Sequence, residues 1–204
     1  NVLNDQRQVI FGQRNNVMES NEANIFADDF IDENLNELKI LKSKKLANPN
    51  SDDFTKGFKT TFGKSFNDEE IKDLSNKKDS ELETIVKNKF LEKRSERIEL
   101  LGKDEALEIE KRIFLQLIDQ NWKLHIQYLE QLRQVIGLRS YGQRDPLVEY
   151  KKEAFELFSN LLEKLKLDYV TILINLKVVL ESSHEKENNQ NDFSKQISKN
   201  KKMG

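Results

Sequence analysis

Between residues 104 and 181 the apolar positions recur at alternating steps of three and four. That spacing lays one continuous stripe along the side of an α-helix, the seam against which a partner helix packs. The first half of the stripe is Leu115, Ile118, Trp122, His125, Leu129, Leu132 and Ile136. The second half is Ala154, Phe158, Leu161, Leu165, Tyr169, Ile172, Leu176 and Val179. The run from Gly137 to Arg144, with its two glycines, interrupts the pattern and is followed by Asp145-Pro146. Asp145 suits a helix N-cap because its carboxylate can accept orphan amide bonds, and Pro146 suits the first helical position, where a missing N–H costs nothing. A connection this short forces the two helices antiparallel. The pattern predicts a stiff helical hairpin with a small tip.

The rest of the chain also reads as helices. From Asn1 to about Ser20, Leu3, Gln6, Ile10, Gln13 and Val17 share one side, with Val2, Val9 and Met18 nearby. Such a helix is only marginally stable alone and needs packing partners. A second helix, roughly Glu22 to Lys45, carries Ile25, Phe26, Phe30, Ile31, Leu35, Leu38, Ile40 and Leu41, and the turn cluster Asn48-Pro49-Asn50 ends it. Phe54, Phe58, Phe62 and Phe66 fall four apart, as on the packed face of short helices. Asn67 and Glu70 form a capping pair for a short helix through Leu74. After the polar break Lys77-Lys78-Asp79-Ser80, Asp79 or Ser80 is expected to cap a helix reaching Leu101. Gly102 is expected to stop it, and Asp104 to cap the hairpin's first helix. From Ser182 onward no hydrophobic period survives, and Phe193 and Ile197 are isolated. Residues 182–204 read as a disordered linker.

Composition sharpens the fold class. The chain has 204 residues, 34% charged and 36% hydrophobic, with two prolines. Together with the helical spacing, that describes an all-α chain of long, solvent-bathed helices rather than a compact α/β enzyme. A net charge of −2 excludes a globally basic nucleic-acid binder. The absence of cysteine excludes disulfide scaffolds, thiol nucleophiles and cysteine metal sites. The sequence starts at Asn1 in mid-helix without an initiator Met, as expected of a piece of a longer protein.

Candidate chemistry is sparse. No Gly-rich phosphate loop is present, so the backbone cradle and lysine of a nucleotide site are missing. His125 lies on the apolar seam and reads as a core histidine with one hydrogen-bonded nitrogen. His184 falls in the linker. Asp28-Asp29 and Asp52-Asp53 lack the alternating oxygen ligands of a calcium loop. No catalytic, cofactor-binding or metal-binding residue is assigned. The hairpin tip is distinctive: Arg133, Arg139 and Arg144 occur there without an acidic residue, and a tight turn cannot bury Leu138 and Tyr141. It is either a solvated turn whose arginines cover helix ends or a basic, aromatic-tipped probe.

Three segments carry a resemblance. Leu115 to His125 (LQLIDQNWKLH), Leu132 to Pro146 (LRQVIGLRSYGQRDP) and Glu149 to Phe158 (EYKKEAFELF) resemble the two-helix finger of the SecA family, motor subunits of the bacterial preprotein translocase. Asn4-Asp5-Gln6-Arg7 with Ile10, Gln13 and Arg14 is similar to the end of that family's long scaffold helix. The resemblance implies residues 1–20 as the end of the scaffold helix, 21–103 as a helical wing domain, and 104–181 as the finger. It further implies a fingertip of Leu138, Arg139, Tyr141 and Arg144 that contacts unfolded preprotein and the SecY/SecE/SecG channel. Trp122, His125, Leu129, Leu132 and Phe158 would form the finger core. ATP and Mg would be bound by nucleotide-binding domains outside this chain. Membrane lipids would be met peripherally from the cytoplasmic side, and the choice between monomer and homodimer stays open. Gly142 and Arg144 stand where related sequences often carry Ala and Lys. Lys201-Lys202-Met203-Gly204 is similar to the lead-in to a zinc-binding tail, but no Cys ligand is present and no zinc site follows. Apart from the resemblance, the same residues suit a stand-alone helical adaptor. A nucleic-acid binder is poorly supported by three arginines flanked by acidic helices.

Overall fold

A computed structural model describes residues 2–19, 23–47, 51–137 and 145–178. These form helices α1 (Val2–Glu19), α2 (Ala23–Ala47), α3 (Asp53–Phe62), α4 (Asp68–Asn76), α5 (Asp79–Leu101), α6 (Lys103–Ile136) and α7 (Pro146–Asn175), with no strand among the described residues. At 1.5 Å per residue α6 is about 50 Å long.

Helices α6 and α7 are antiparallel. Phe114 meets Tyr169 near one end, His125 meets Phe158 midway, and Leu129, Leu132 and Ile136 pack with Ala154 and Tyr150 towards the other. Asp145 caps α7 by accepting the Leu147 N–H at 2.8 Å, and Pro146 occupies its first turn. Asn67 and Glu70 form a reciprocal capping box on α4. Phe54, Phe58, Phe62 and Phe66 are all buried, and Phe58 lies 5.2–5.8 Å, ring centre to ring centre, from the other three.

Several local expectations need correction. The N-cap of α6 is Gly102, not Asp104. At φ +83° Gly102 reverses the chain in a single residue, a conformation that side-chain-bearing residues rarely adopt, and Asp104 falls inside the first turn. The N-cap of α5 is Lys78 rather than Asp79 or Ser80. The Asp79 carboxylate is held by Lys42 at 2.8 Å, and the same ammonium donates to the Lys77 carbonyl. Helix α7 ends at Asn175, so Leu176 is its half-buried C-cap, and Val179 lies outside the described residues.

The stripe also shifts near the base of the hairpin. Leu115 and Ile172 are half-buried, whereas Phe114, Leu117, Val170, Leu173 and Ile174 are buried. Here α2 and α5 pack against both helices and α3 against α7, so the pair buries more than one seam. Phe26 stacks on Phe114 at 5.6 Å, while Phe30 and Tyr169 close the cluster edge-on. Farther from the base, α1 packs along the pair.

Candidate functional site

The position of α1 turns the hairpin into a three-helix rod. Its buried side, Gln6, Ile10 and Val17, faces α6 and α7. It runs antiparallel to α6 and is tied to it at several levels. Met18 accepts at its carbonyl from Lys111 (2.8 Å), Arg14 meets Asp119 (3.1 Å), and Gln6 meets His125. Beyond these, Val2 and Leu3 pack against the cluster of Leu129, Leu132, Ile136 and Ala154.

The Gln6 level is a buried polar bridge through all three helices. Gln6 Nε2 donates to the Ala154 carbonyl of α7 at 3.0 Å, which leaves Oε1 facing His125 Nε2 of α6 at 2.8 Å. With the amide oriented that way, the imidazole nitrogen is the donor and the neutral ring has one satisfied nitrogen. Burial moves the His125 pKa below its usual 6.5. Protonation is therefore harder in the folded chain than in the unfolded one. Stability should be complete above pH 6.5 and fall as pH drops from 6.5 towards the folded value. Carboxylates enter later: Glu83, hydrogen-bonded to Lys39 and Lys87, is held at about 2 instead of 4.5. Denaturant midpoints measured between pH 7 and 5 should decline for the native chain and flatten for His125→Gln. An undiminished slope in the variant would assign the acid sensitivity elsewhere.

A second polar centre fastens the base. Glu110 of α6 is 1% exposed and accepts from two arginines of α5. Its Oε1 receives Arg94 Nε at 3.1 Å and Arg97 Nη2 at 2.8 Å, and its Oε2 receives Arg94 Nη2 at 3.1 Å. Arg97 Nη1 continues to the Leu173 carbonyl of α7 at 2.8 Å, and Arg94 Nη1 to Asp28 of α2 at 2.9 Å. The Tyr169 hydroxyl lies 3.2 Å from the carbonyls of Ala23 and Glu110, and burial pushes its pKa up. One carboxylate thus joins α5 to α6 directly, and α2 and α7 through the two arginines, within the base.

Away from the base the rod leaves apolar surface uncovered. Val135, Leu147, Val148 and Phe155 are exposed, Phe155 at 67%. A groove of about 470 Å³ opens between the ends of α1, α6 and α7, lined by Leu3, Leu129, Ile136, Leu147 and Tyr150, with Glu130 and Arg133 among its polar groups.

Of the residues singled out in the sequence, Trp122, His125, Leu129, Leu132 and Phe158 are buried between the rod's helices. Leu138, Arg139, Tyr141 and Arg144 lie outside the described residues. The partnership of α1 with the hairpin and the Arg94–Glu110–Arg97 cluster were not anticipated. The available signal was polar residues at stripe positions: Gln6 between Leu3 and Ile10, Glu110 midway between Ala106 and Phe114, and Arg97 two turns beyond Phe90. No group of three or more metal-ligating side chains gathers among the described residues. No helix there is long and apolar enough to cross a membrane.

Fold and site together define an all-helical scaffold, a long rod rooted in a cluster of shorter helices. The sequence profile of the family described as "SecA Wing and Scaffold domain" matches residues 1–177, and the chain belongs to that family. It is 60% identical over 182 residues to the protein translocase subunit SecA of Pelagibacter ubique, covering 89% of this chain and 21% of that protein. The SecA of Thermodesulfovibrio yellowstonii is 35% identical over 181 residues, 89% of this chain and 20% of the relative. That of Caldicellulosiruptor saccharolyticus is 31% identical over 219 residues, covering all of this chain and 25% of the relative. The chain spans about a fifth of the length of these curated relatives.

Proposed function

We propose that this chain is the wing and scaffold portion of an ATP-driven protein translocase. Its α6–α7 finger works at the mouth of a membrane channel from the cytoplasmic side, against the polypeptide being moved. The reading rests above all on the way α1 is clamped along the finger. A helix fixed to both finger helices by the Gln6 bridge, and to α6 again by Arg14 and Lys111, transmits an axial or rocking displacement to the tip without slipping. ATP and Mg are assigned to domains outside this chain, and no residue here is given a catalytic role. The exposed apolar positions from Val135 to Phe155 suit contact with channel or polypeptide. Tyr141 adds a flat ring able to meet varied side chains, and Arg139 and Arg144 can donate to acidic groups or backbone carbonyls.

The test is Tyr141→Ala in the full-length protein. Translocation of a preprotein into membrane vesicles should fall several-fold, with a much smaller change in basal ATP hydrolysis. Equal loss of both activities, or loss of neither, would count against the tip as the working surface.

A further inference from the structure

A notch of about 170 Å³ opens between α6 and α7 midway along the finger, and no described residue of α1 lines it. Leu124, Tyr128, Leu157 and Leu161 make its walls apolar, and Asn121 and His125 are its buried polar residues. The one charged side chain at its edge, Lys164, is held by Asp168. The notch therefore suits a neutral group. An apolar cavity of about 150 Å³ takes up a benzene ring, so the volume is that of a single six-membered ring.

Both buried polar residues keep an acceptor without a donor. Asn121, 9% exposed, gives its Nδ2 to the Leu117 carbonyl at 2.9 Å, and no described residue donates to its Oδ1. His125 has Nε2 committed to Gln6 of α1 at 2.8 Å. With Nε2 as the donor, Nδ1 carries the lone pair of the neutral ring, and it too receives no hydrogen bond from a described residue. Neither atom is sealed in. The side-chain polar atoms that are both unbonded and cut off from solvent are, among the described residues, Asn24 Oδ1 and Arg97 Nε. Acceptors in residues this buried are ordinarily satisfied, and these two stay within reach of a group in the notch.

From the ring-sized volume, the apolar walls and the two waiting acceptors, we infer that the notch takes the side chain of a tyrosine from a polypeptide lying along the finger. The phenol ring fills the apolar space, and its hydroxyl is a donor that finds a partner when buried. Phenylalanine fits the walls but leaves the acceptors empty, and an indole exceeds a single ring. Lysine or arginine would bring a charge to a notch that no carboxylate lines. Exposure of the walls separates a side chain from a free small molecule. Small-ligand pockets cover roughly 70–90% of their ligand. Here Leu124 is 47% and Tyr128 52% exposed, so one edge of the ring stays open, where the backbone carrying it enters.

The test is titration of the full chain with a short Gly/Ser peptide carrying one central Tyr, and with the matching Phe peptide. Emission of Trp122, the only tryptophan and 5.5 Å from His125, follows binding, and ¹⁵N NMR of the histidine ring follows the hydrogen bond. The Tyr peptide should bind saturably, at least tenfold more tightly than the Phe peptide, and move the His125 Nδ1 resonance upfield. p-Cresol and 4-methylanisole repeat the comparison with the side-chain chemistry alone. Leu124→Glu changes a half-exposed wall and leaves both acceptors in place. It should abolish Tyr-peptide binding while the helical circular dichroism and thermal midpoint are kept. Equal binding of the two peptides, an unmoved Nδ1 resonance, binding that survives in folded Leu124→Glu, or no saturable binding overturns the assignment. Binding of p-cresol without binding of the Tyr peptide overturns it too, in favour of a small-molecule site. None of these readouts involves translocation, so their outcome is separable from that of the Tyr141→Ala experiment.

Discussion

Replacing Glu110 with alanine should destabilise the chain by about 3–5 kcal/mol, the loss typical when one partner of a buried ion pair is removed. The reason is what remains behind. Arg94 and Arg97 together direct three N–H groups at this carboxylate within 3.1 Å, and Arg97 is 2% exposed. Without Glu110 the Arg97 charge stays buried with only the Leu173 carbonyl, whereas Arg94 still reaches Asp28 near the surface. Glu110→Gln should cost less, because one acceptor oxygen survives. A combined replacement of Arg94, Glu110 and Arg97 by apolar residues of similar size should recover much of the loss. Urea denaturation followed by circular dichroism measures all three. A Glu110→Ala cost under about 1 kcal/mol, the usual worth of a surface pair, would mean that water reaches the cluster and that it does not fasten the base.

The hairpin was legible because its determinants are local. A helical period over more than thirty residues, two glycines and an Asp-Pro pair specify two helices and an antiparallel return, and none of these depends on distant residues. The capping box at Asn67 and Glu70 could be read for the same reason. What escaped was decided by tertiary packing. Near the base a period of 3.6 selects one face, but α6 and α7 are surrounded there, so Phe114, Val170 and Leu173 are as buried as the stripe itself. At Asp79 the local preference for a cap lost to Lys42, an ammonium 37 residues away in sequence. Gly102 offers a similar lesson: one left-handed residue ends α5 and starts α6, leaving no room for a separate cap. The site was readable to the same extent. The sequence marks His125 as a buried histidine, but its partner Gln6 is 119 residues away, and only the fold brings them together.

Trp122→Ala should cost on the order of 3–5 kcal/mol, the usual loss for truncating a buried aromatic side chain. Trp122 is 9% exposed, and its ring lies 5.5 Å from His125, which in turn lies 5.6 Å from the Phe158 ring of α7. The indole therefore fills the rod at the level where α1, α6 and α7 meet around the Gln6 bridge. A cavity there loses transfer free energy and also loosens the packing that holds His125 against Gln6. Trp122→Phe keeps most of the volume and should cost clearly less. Because Trp122 is the only tryptophan, its removal abolishes the intrinsic tryptophan signal, and unfolding must be followed by circular dichroism. A cost below about 1 kcal/mol would place the indole at a solvated surface, since substitutions there rarely do more. In the full-length protein the same substitution tests the transmission argument. If a rigid rod carries movement to the tip, Trp122→Ala should lower translocation even at temperatures where the chain stays folded, and Trp122→Phe should restore it.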